Sequence, residues 1–223
     1  MRLEAVLIGQ PRTFGTEGAE DPFEGPWISA IRKEPVDGPV WAGAEGLSGD
    51  HQYDREGHGG PERALLMYSA DHYPRWRAEW DRTDLGPGGF GENLTVSGIT
   101  EDTACLGDVY RIGETRVEVS SPRTPCNTLA RRHGRRELVR IITNNHRSGW
   151  YLRVLREGWV EAGAAVVLVD RPYPQWTIRR AATVKRLRAE RPEEARLLAA
   201  CPALQVEWRE KLAGSRDSGI GNR

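Results

Sequence analysis

The chain has 223 residues, enough for one large domain or a domain with a small appendage, and its 32 basic and 32 acidic residues cancel. The charges are dispersed, with no polybasic block, which argues against a nucleic-acid polymer or a membrane surface as partner; short clusters such as Arg131-Arg132 and Arg135-Arg136 still suit a small anion. The opening apolar run in MRLEAVLIGQPR is too short for a signal segment or a membrane span, and no later run is long enough, so a cytoplasmic location is expected.

In chain order, the strand candidates are 4–9, 27–31, 40–42, 64–68, 93–97, 108–112, 116–120, 150–155 and 165–170. Glycine-rich turns punctuate them (EGLSGD, GHGGP, GPGGFGEN, RIGETR), the pattern of a closed or strongly bent antiparallel sheet. Helices are expected over 71–80, which opens with an acidic turn, and over 137–143, where ELVRIIT has helical apolar spacing. Pro172 and Pro174 suit a linker. Beyond Thr177 strand signals vanish and three short helices are expected, with Pro192 and Pro202 each at a first helical position and Gly214 as a stop. The resulting fold class is mainly β with α: a β domain over 1–172, a three-helix segment over 173–213 that is too small to stand alone, and a disordered tail over 214–223. Most of the eight tryptophans read as packing residues.

Cys105, Cys126 and Cys201 are odd in number and widely spaced, with no CxxC pair, so neither a disulfide framework nor a zinc finger is expected. Cys126 stands out. In VEVSSPRTPCNTLARRHG it follows a strand, and Pro122 and Pro125 stiffen the chain in front of it. A helix starting in NTLARRHG, with Arg123 close by, would lower the thiol's pKa and make it a soft metal ligand or a nucleophile. The plainer alternative is a small buried hydrophobe ending a strand. Cys105 and Cys201 read as buried packing residues.

Three further clusters carry polar side chains on turns. GLSGDHQYDREGHGGPERAL places His58 in a Gly-His-Gly-Gly turn, able to move protons near neutral pH or simply to bond its own loop, and Asp50, His51 and Asp54 are equally compatible with loop structure. GGFGENLTV leads Asn93 into a strand, where its amide can orient a substrate or cap a turn. WISAIRKEPVDGPV carries Ser29, Arg32 and Lys33, the lysine being of a type usually solvated.

The order of these pieces resembles the MOSC domain family, whose fold is shared with the C-terminal part of the pyridoxal-phosphate-type molybdenum cofactor sulfurases. Within the family it is similar to the bacterial YiiM type, which confers resistance to 6-N-hydroxylaminopurine. The motifs that carry the likeness are AIRKEPVDGPV, GLSGDHQYDREGHGGPERAL, FGENLTVSGITEDTACLGDVYRIG, VEVSSPRTPC and SGWYLRVLREG, and the helical stretch 177–212 looks like the small three-helix domain that ends this type. The resemblance implies a β-barrel-like MOSC domain binding molybdenum cofactor (molybdopterin), with Cys126 as the metal ligand. It also implies two-electron reduction of N-hydroxylated compounds to amines. Cofactor contacts are then expected from Cys126, Arg123, Arg131, Arg132, Ser29, Arg55, Gly59 and Gly60. His58 is expected to donate a proton, Lys33 to supply charge or a proton, and Asn93 to orient the N–OH group. Electrons would come from an external reductase or reduced carrier, because no flavin, nicotinamide or iron–sulfur motif is visible. Where relatives often carry an aromatic residue and a lysine after the cysteine, Asn127 and Thr128 stand here, so Arg123, Arg131 or Arg132 would have to substitute. Three other readings fit the residues: a cofactor or sulfur carrier without turnover, a metal-free hydrolase built on Cys126, His58 and Asn93, and an interaction protein. The oligomeric state is left open, a homodimer included.

Overall fold

The computed structural model describes residues 1–53 and 59–214. Thirteen strands are present among them: β1 (Arg2–Ile8), β2 (Arg12–Phe14), β3 (Trp27–Ser29), β4 (Glu34–Pro35), β5 (Val40–Gly43), β6 (Gly46–Leu47), β7 (Leu65–Ser69), β8 (Leu94–Ser97), β9 (Val109–Ile112), β10 (Thr115–Pro122), β11 (Trp150–Arg156), β12 (Gly158–Val160) and β13 (Val166–Asp170). Six α-helices accompany them among the described residues: α1 (Tyr73–Trp80), α2 (Asn127–His133), α3 (Leu138–Asn145), α4 (Ile178–Arg186), α5 (Pro192–Ala199) and α6 (Val206–Ala213). The nine expected strands are all found. The four that sequence patterning missed, β2, β4, β6 and β12, are two or three residues long, too short to show an alternation.

Eight strands form one sheet in the order β13-β9-β10-β11-β7-β8-β1-β4. Its two sides approach each other at a single bridge, Arg2 to Ala165, supported by Leu3 N–H to Ala164 O (2.9 Å) and Val166 N–H to Met1 O (3.0 Å). The sheet thus curls far enough for β1 to touch the start of β13, without a ladder along the seam. One pair departs from the antiparallel expectation: β7 and β8 run parallel. Parallel neighbours need a long crossover, and residues 70–93, with α1 inside them, supply it.

Two apolar clusters follow from this topology. The larger joins Leu65, Met67, Leu94, Leu106, Val117, Val119 and Trp150 of the sheet region to Trp176, Ile178, Val184, Leu198, Leu204 and Trp208. The C-terminal helices therefore bury their apolar faces in the same core as the strands, as segments of their size must. The second cluster is aromatic and lies under α1, α2 and α3, with Tyr68, Tyr73, Trp76, Trp80 and Phe90. Trp76 and Phe90 have no exposed surface.

At the C-terminus Pro192 opens α5 as expected. Pro202 does not open a helix. It lies in a turn and α6 begins at Val206, because the preceding backbone is engaged elsewhere: Leu204 N–H reaches back to Cys201 O (3.1 Å), and Gln205 N–H pairs with Ser120 O (2.9 Å). The tail after Gly214 lies outside the described residues.

Candidate functional site

The strand β10 ends at Pro122, paired with Trp150, and the chain then turns through Arg123 to Cys126 before α2 begins. Cys126 occupies the N-cap position of α2, extended at φ −127° and ψ 167°, with its carbonyl accepting from Leu129 N–H (3.1 Å). Helices favour Ser, Thr, Asp or Asn there, so a cysteine is not what the helix itself asks for. Of the three cysteines it is the half-exposed one. Cys105 and Cys201 are buried, and burial pushes both their thiols up in pKa.

Beside Cys126 lies a cleft of about 270 Å³. Ser29, Lys33, Asn93 and Arg123 line it, so four further residues singled out in sequence meet at the thiol. They come from three motifs: Ser29, which closes β3, and Lys33, which precedes β4, share WISAIRKEPVDGPV, while Asn93 leads into β8 and Arg123 follows β10. The convergence depends on close backbone packing. Gly91 has φ +78°, and a Cβ there would stand 2.7 Å from Ile31 Cγ1, so only glycine lets the GEN turn lie against the segment that carries Lys33. Gly149, at φ +77°, would place a Cβ 2.4 Å from Met67 O; its own carbonyl holds Arg123 N–H at 3.1 Å.

On the floor of the cleft Lys33 is ion-paired to Asp50, which lies behind the lining. Lys33 Nζ donates to Asp50 Oδ1, and both side chains are almost wholly buried. Asp50 Oδ1 also accepts from Gly9 N–H (2.7 Å), and Oδ2 accepts from Asn93 Nδ2 (2.8 Å). Burial lowers the pKa of Lys33 below the ordinary lysine value; the charge and hydrogen bond of Asp50, and the more distant Glu92, pull it back up, while Arg123 pushes it down. Sequence reading passed over Asp50 because an aspartate after a glycine looks like any turn residue. The signal that could have found it is the chance of a long-range partner for the lysine in the preceding motif.

Other placements differ from expectation. Asn93 is buried with its amide occupied: Oδ1 accepts from Leu66 N–H (3.1 Å), and Nδ2 donates to Leu7 O (3.3 Å) and Asp50. It fixes the cleft floor, which leaves little of the amide to orient a substrate. Arg131 and Arg132 do not line the cleft. Arg131 Nε donates to Phe23 O (2.8 Å) and its Nη2 to Gly25 O, while Arg132 Nη1 donates to Ile31 O, so both clamp the 23–31 segment onto α2. Burial pushes Arg132 down to about 10 in pKa, against the pull of Glu92. Gly59 and Gly60 are not in the lining either; Gly60, at φ 90°, turns the chain into the short 3₁₀ helix 61–63 that delivers Arg63 to the cleft. His58 and Arg55 lie outside the described residues.

Tyr151 and Arg63 also line the cleft and were not singled out in sequence, and His51, read there only as a loop residue, joins them. Tyr151, on β11, lies beside Arg123, and burial raises its phenol pKa, keeping it protonated. Arg63 stands over the Tyr151 ring at 5.9 Å and is braced by Glu207 of α6, so the C-terminal helices hold one wall. Exposed His51 is at the rim, its Nδ1 2.9 Å from Gln10 Nε2. Arg123, buried, donates from Nη1 to Phe90 O at 2.6 Å.

Among the described residues no group of three or more His, Cys, Asp or Glu side chains is arranged to hold a metal ion, and no helix is long and apolar enough to cross a membrane. A metal at Cys126 would find one protein sulfur and would have to bring its remaining ligands with it.

The comparisons with known proteins agree with this architecture. Residues 54–167 match the MOSC domain model. The chain is 35% identical over 194 residues to Protein YiiM of Escherichia coli, covering 86% of each protein. It is 39% identical over 183 residues to a protein named Reductase from Gibberella moniliformis, where 80% of this chain spans only 32% of that protein. The crystal structure of YiiM from Geobacillus stearothermophilus superposes with a TM-score of 0.79 at 32% identity, over 95% of this chain and 97% of that one. The chain belongs to the MOSC domain family and is of its YiiM type.

Proposed function

We propose that the chain is a molybdenum-cofactor-dependent reductase that converts N-hydroxylated compounds, such as hydroxylaminopurines, to amines. The observation that carries the reading is the open cleft at Cys126, where a half-exposed thiol stands among Lys33, Arg123 and Arg63. The fit is chemical: a single soft sulfur suits a metal that arrives already chelated, and arginine forks suit a phosphate. Cys126 would hold the metal and Arg123, with Ser29, the anionic part of the cofactor. When bound, that cofactor would supply the two electrons and take up the oxygen of the N–O bond.

The protein's own part is position and protons. Reduction of R–NHOH to R–NH₂ and water consumes two electrons and two protons. Lys33 carries a positive charge on the cleft floor and can hold the hydroxyl oxygen. His58, outside the described residues, remains the proposed proton donor, and His51 at the rim is the described histidine nearest that task. The occupied amide of Asn93 weighs against the thiol-hydrolase reading, which needs that amide to orient the histidine. The fungal relative, about three times the length of the matched segment and named Reductase, suits an electron supply that lies outside this chain.

The test is protein made in a cofactor-competent host, assayed for molybdenum and pterin and for reduction of 6-N-hydroxylaminopurine with reduced viologen. The expected result is near-stoichiometric molybdenum and turnover. Bound cofactor without turnover would leave a carrier; absence of both would end the proposal.

A further inference from the structure

Of the 32 basic residues 29 are arginines; the lysines are Lys33, Lys185 and Lys211 alone. A chain that meets nearly every need for positive charge with arginine keeps a lysine on the floor of its cleft. The chemistry differs: the ammonium is a compact charge with three rotatable donors, and its protonation responds to its surroundings as a guanidinium's does not. Among the described residues Asp50 is the one hydrogen-bond partner of Lys33, which leaves two N–H donors in a side chain that lines the cleft.

Asp50 is itself held from two sides. Gly9 N–H reaches the oxygen that Lys33 uses, and Asn93 reaches the other. Three separate motifs, AIRK, GLSGD and GEN, therefore meet at one carboxylate. A buried ion pair of this kind is poor evidence of stability, because two desolvated charges gain little over apolar neighbours. Its presence where a ligand would sit points to a task for the lysine.

We infer that Asp50 is a positioning residue: it fixes the Lys33 ammonium, charged and oriented, on the floor of the Cys126 cleft, with the remaining donors directed to an oxygen or anionic group of the ligand. The ligand's identity rests on the function proposed above; the pairing does not. Burial is the largest influence on Lys33 and disfavours its charge; Asp50 is the largest that opposes it, while the other charges that face the amine, Glu92 and Arg123, have opposite effects.

The experiment is brief acetylation of the purified chain with acetic anhydride at pH 8, read by peptide mass spectrometry as the rate at Lys33 relative to exposed Lys211. Only an unprotonated amine reacts. In Asp50→Asn the ammonium loses its counter-charge, and the Lys33 rate is expected to rise at least fivefold. In Asp50→Glu it is expected to return to within twofold of the wild type. An unchanged rate in Asp50→Asn, or an equal rise in Asp50→Glu, which would signal mere loosening, overturns the inference. Should Asp50→Asn fail to fold, the double variant Lys33→Met/Asp50→Asn is expected to fold, since it removes the stranded charge as well; its failure also overturns it. The labelling needs neither molybdenum nor substrate, so a chain that proves to bind no cofactor still tests Asp50 independently.

Discussion

Glu92 and Asn93 are neighbours in the chain, and the structure sends their side chains into opposite worlds. Asn93 faces the cleft with Lys33 and Arg123, while Glu92 turns into the aromatic cluster under α1. There its carboxylate accepts from Gly88 N–H (2.8 Å), Phe90 N–H (3.1 Å), Thr95 Oγ1 (2.9 Å) and the Tyr73 hydroxyl. A second sealed carboxylate, Glu101, takes Gly149 N–H at 2.7 Å and lies 2.6 Å from His72 Nε2. On the sealed side the acid groups are matched by donors from the fold itself. On the cleft side, among the described residues, the fold leaves donors of the Lys33 ammonium unengaged beside a half-exposed sulfur. The sealed polar groups hold the walls; the open donors of the ammonium are available for chemistry.

Two substitutions should separate these roles most sharply. Cys126→Ser is expected to abolish both molybdenum retention and turnover, the latter by at least roughly a thousandfold, as when one member of a unit is removed. Its melting temperature should scarcely change, because the side chain is half-exposed and nearly isosteric. A variant that keeps both metal and activity removes Cys126 from the proposed role. Glu92→Gln should do the reverse. A glutamine must turn an N–H toward donors the carboxylate accepted, so the unfolding free energy should fall by about 3 kcal/mol. Molybdenum content per folded molecule should hold near the wild-type level. Urea unfolding followed by metal analysis checks both arms, and an undiminished midpoint would mean that the sealed cluster is not structural.

The same contrast explains what could be read from the sequence. Strands such as 116–120 and 150–155 announce themselves through local alternation, and the helices 71–80 and 137–143 through spacing and caps. Cys126, Arg123, Lys33 and Ser29 were legible as candidates because their motifs occur in an order like that of the MOSC family. Asp50 was not, because its meaning lies 17 residues from Lys33 and 43 from Asn93. Arg131 and Arg132 misled for a related reason. A basic pair after the cysteine looks like an anion site, yet the carbonyls of Phe23, Gly25 and Ile31, brought there by the fold, take the guanidinium groups first. The parallel β7–β8 pair was hidden as well, since strand direction depends on where the crossover packs and not on either strand's residues.

Smaller effects should appear on the pH axis, with opposite locations. On the sealed side, His133 packs against Trp80 and Phe90 with Nε2 2.9 Å from Gly89 O, and burial, with Arg132 nearby, pushes its pKa down to about 4. An imidazole that is neutral when folded and ionisable when unfolded makes the unfolded chain take up more protons between about pH 6.5 and 4. Stability should therefore fall as pH drops through that window. In His133→Gln the fall should be shallower by on the order of 1–2 kcal/mol, since the ring is partly exposed. Equal acid slopes in the two proteins would exclude the histidine as the cause.

The smallest expected effect lies beside the cleft. Lys185 donates to Thr124 Oγ1 (3.2 Å), two residues before Cys126, and its Nζ stands 3.6 Å from the centre of the Trp208 ring. Burial, then the like charges of Lys211, Arg188 and Arg63, bring its pKa down to about 8. Between about pH 8 and 10.5 the folded chain has lost this proton and the unfolded chain still holds it, so the group's contribution grows more favourable as pH rises. At pH 7 the charged amine is a cost, partly offset by the ring and the hydroxyl. Lys185→Met keeps the aliphatic stem over Trp208 and removes the charge, so it should alter stability at pH 7 by no more than about 1 kcal/mol, with stabilisation the expected sign. The difference from wild type should shift against the variant as the pH is raised to 10.5. Thermal melts at pH 7 and pH 10 measure it directly. If the gap between the two proteins stays constant, Lys185 keeps its proton throughout, and the wall that the C-terminal helices give the cleft is tied by an ordinary surface lysine.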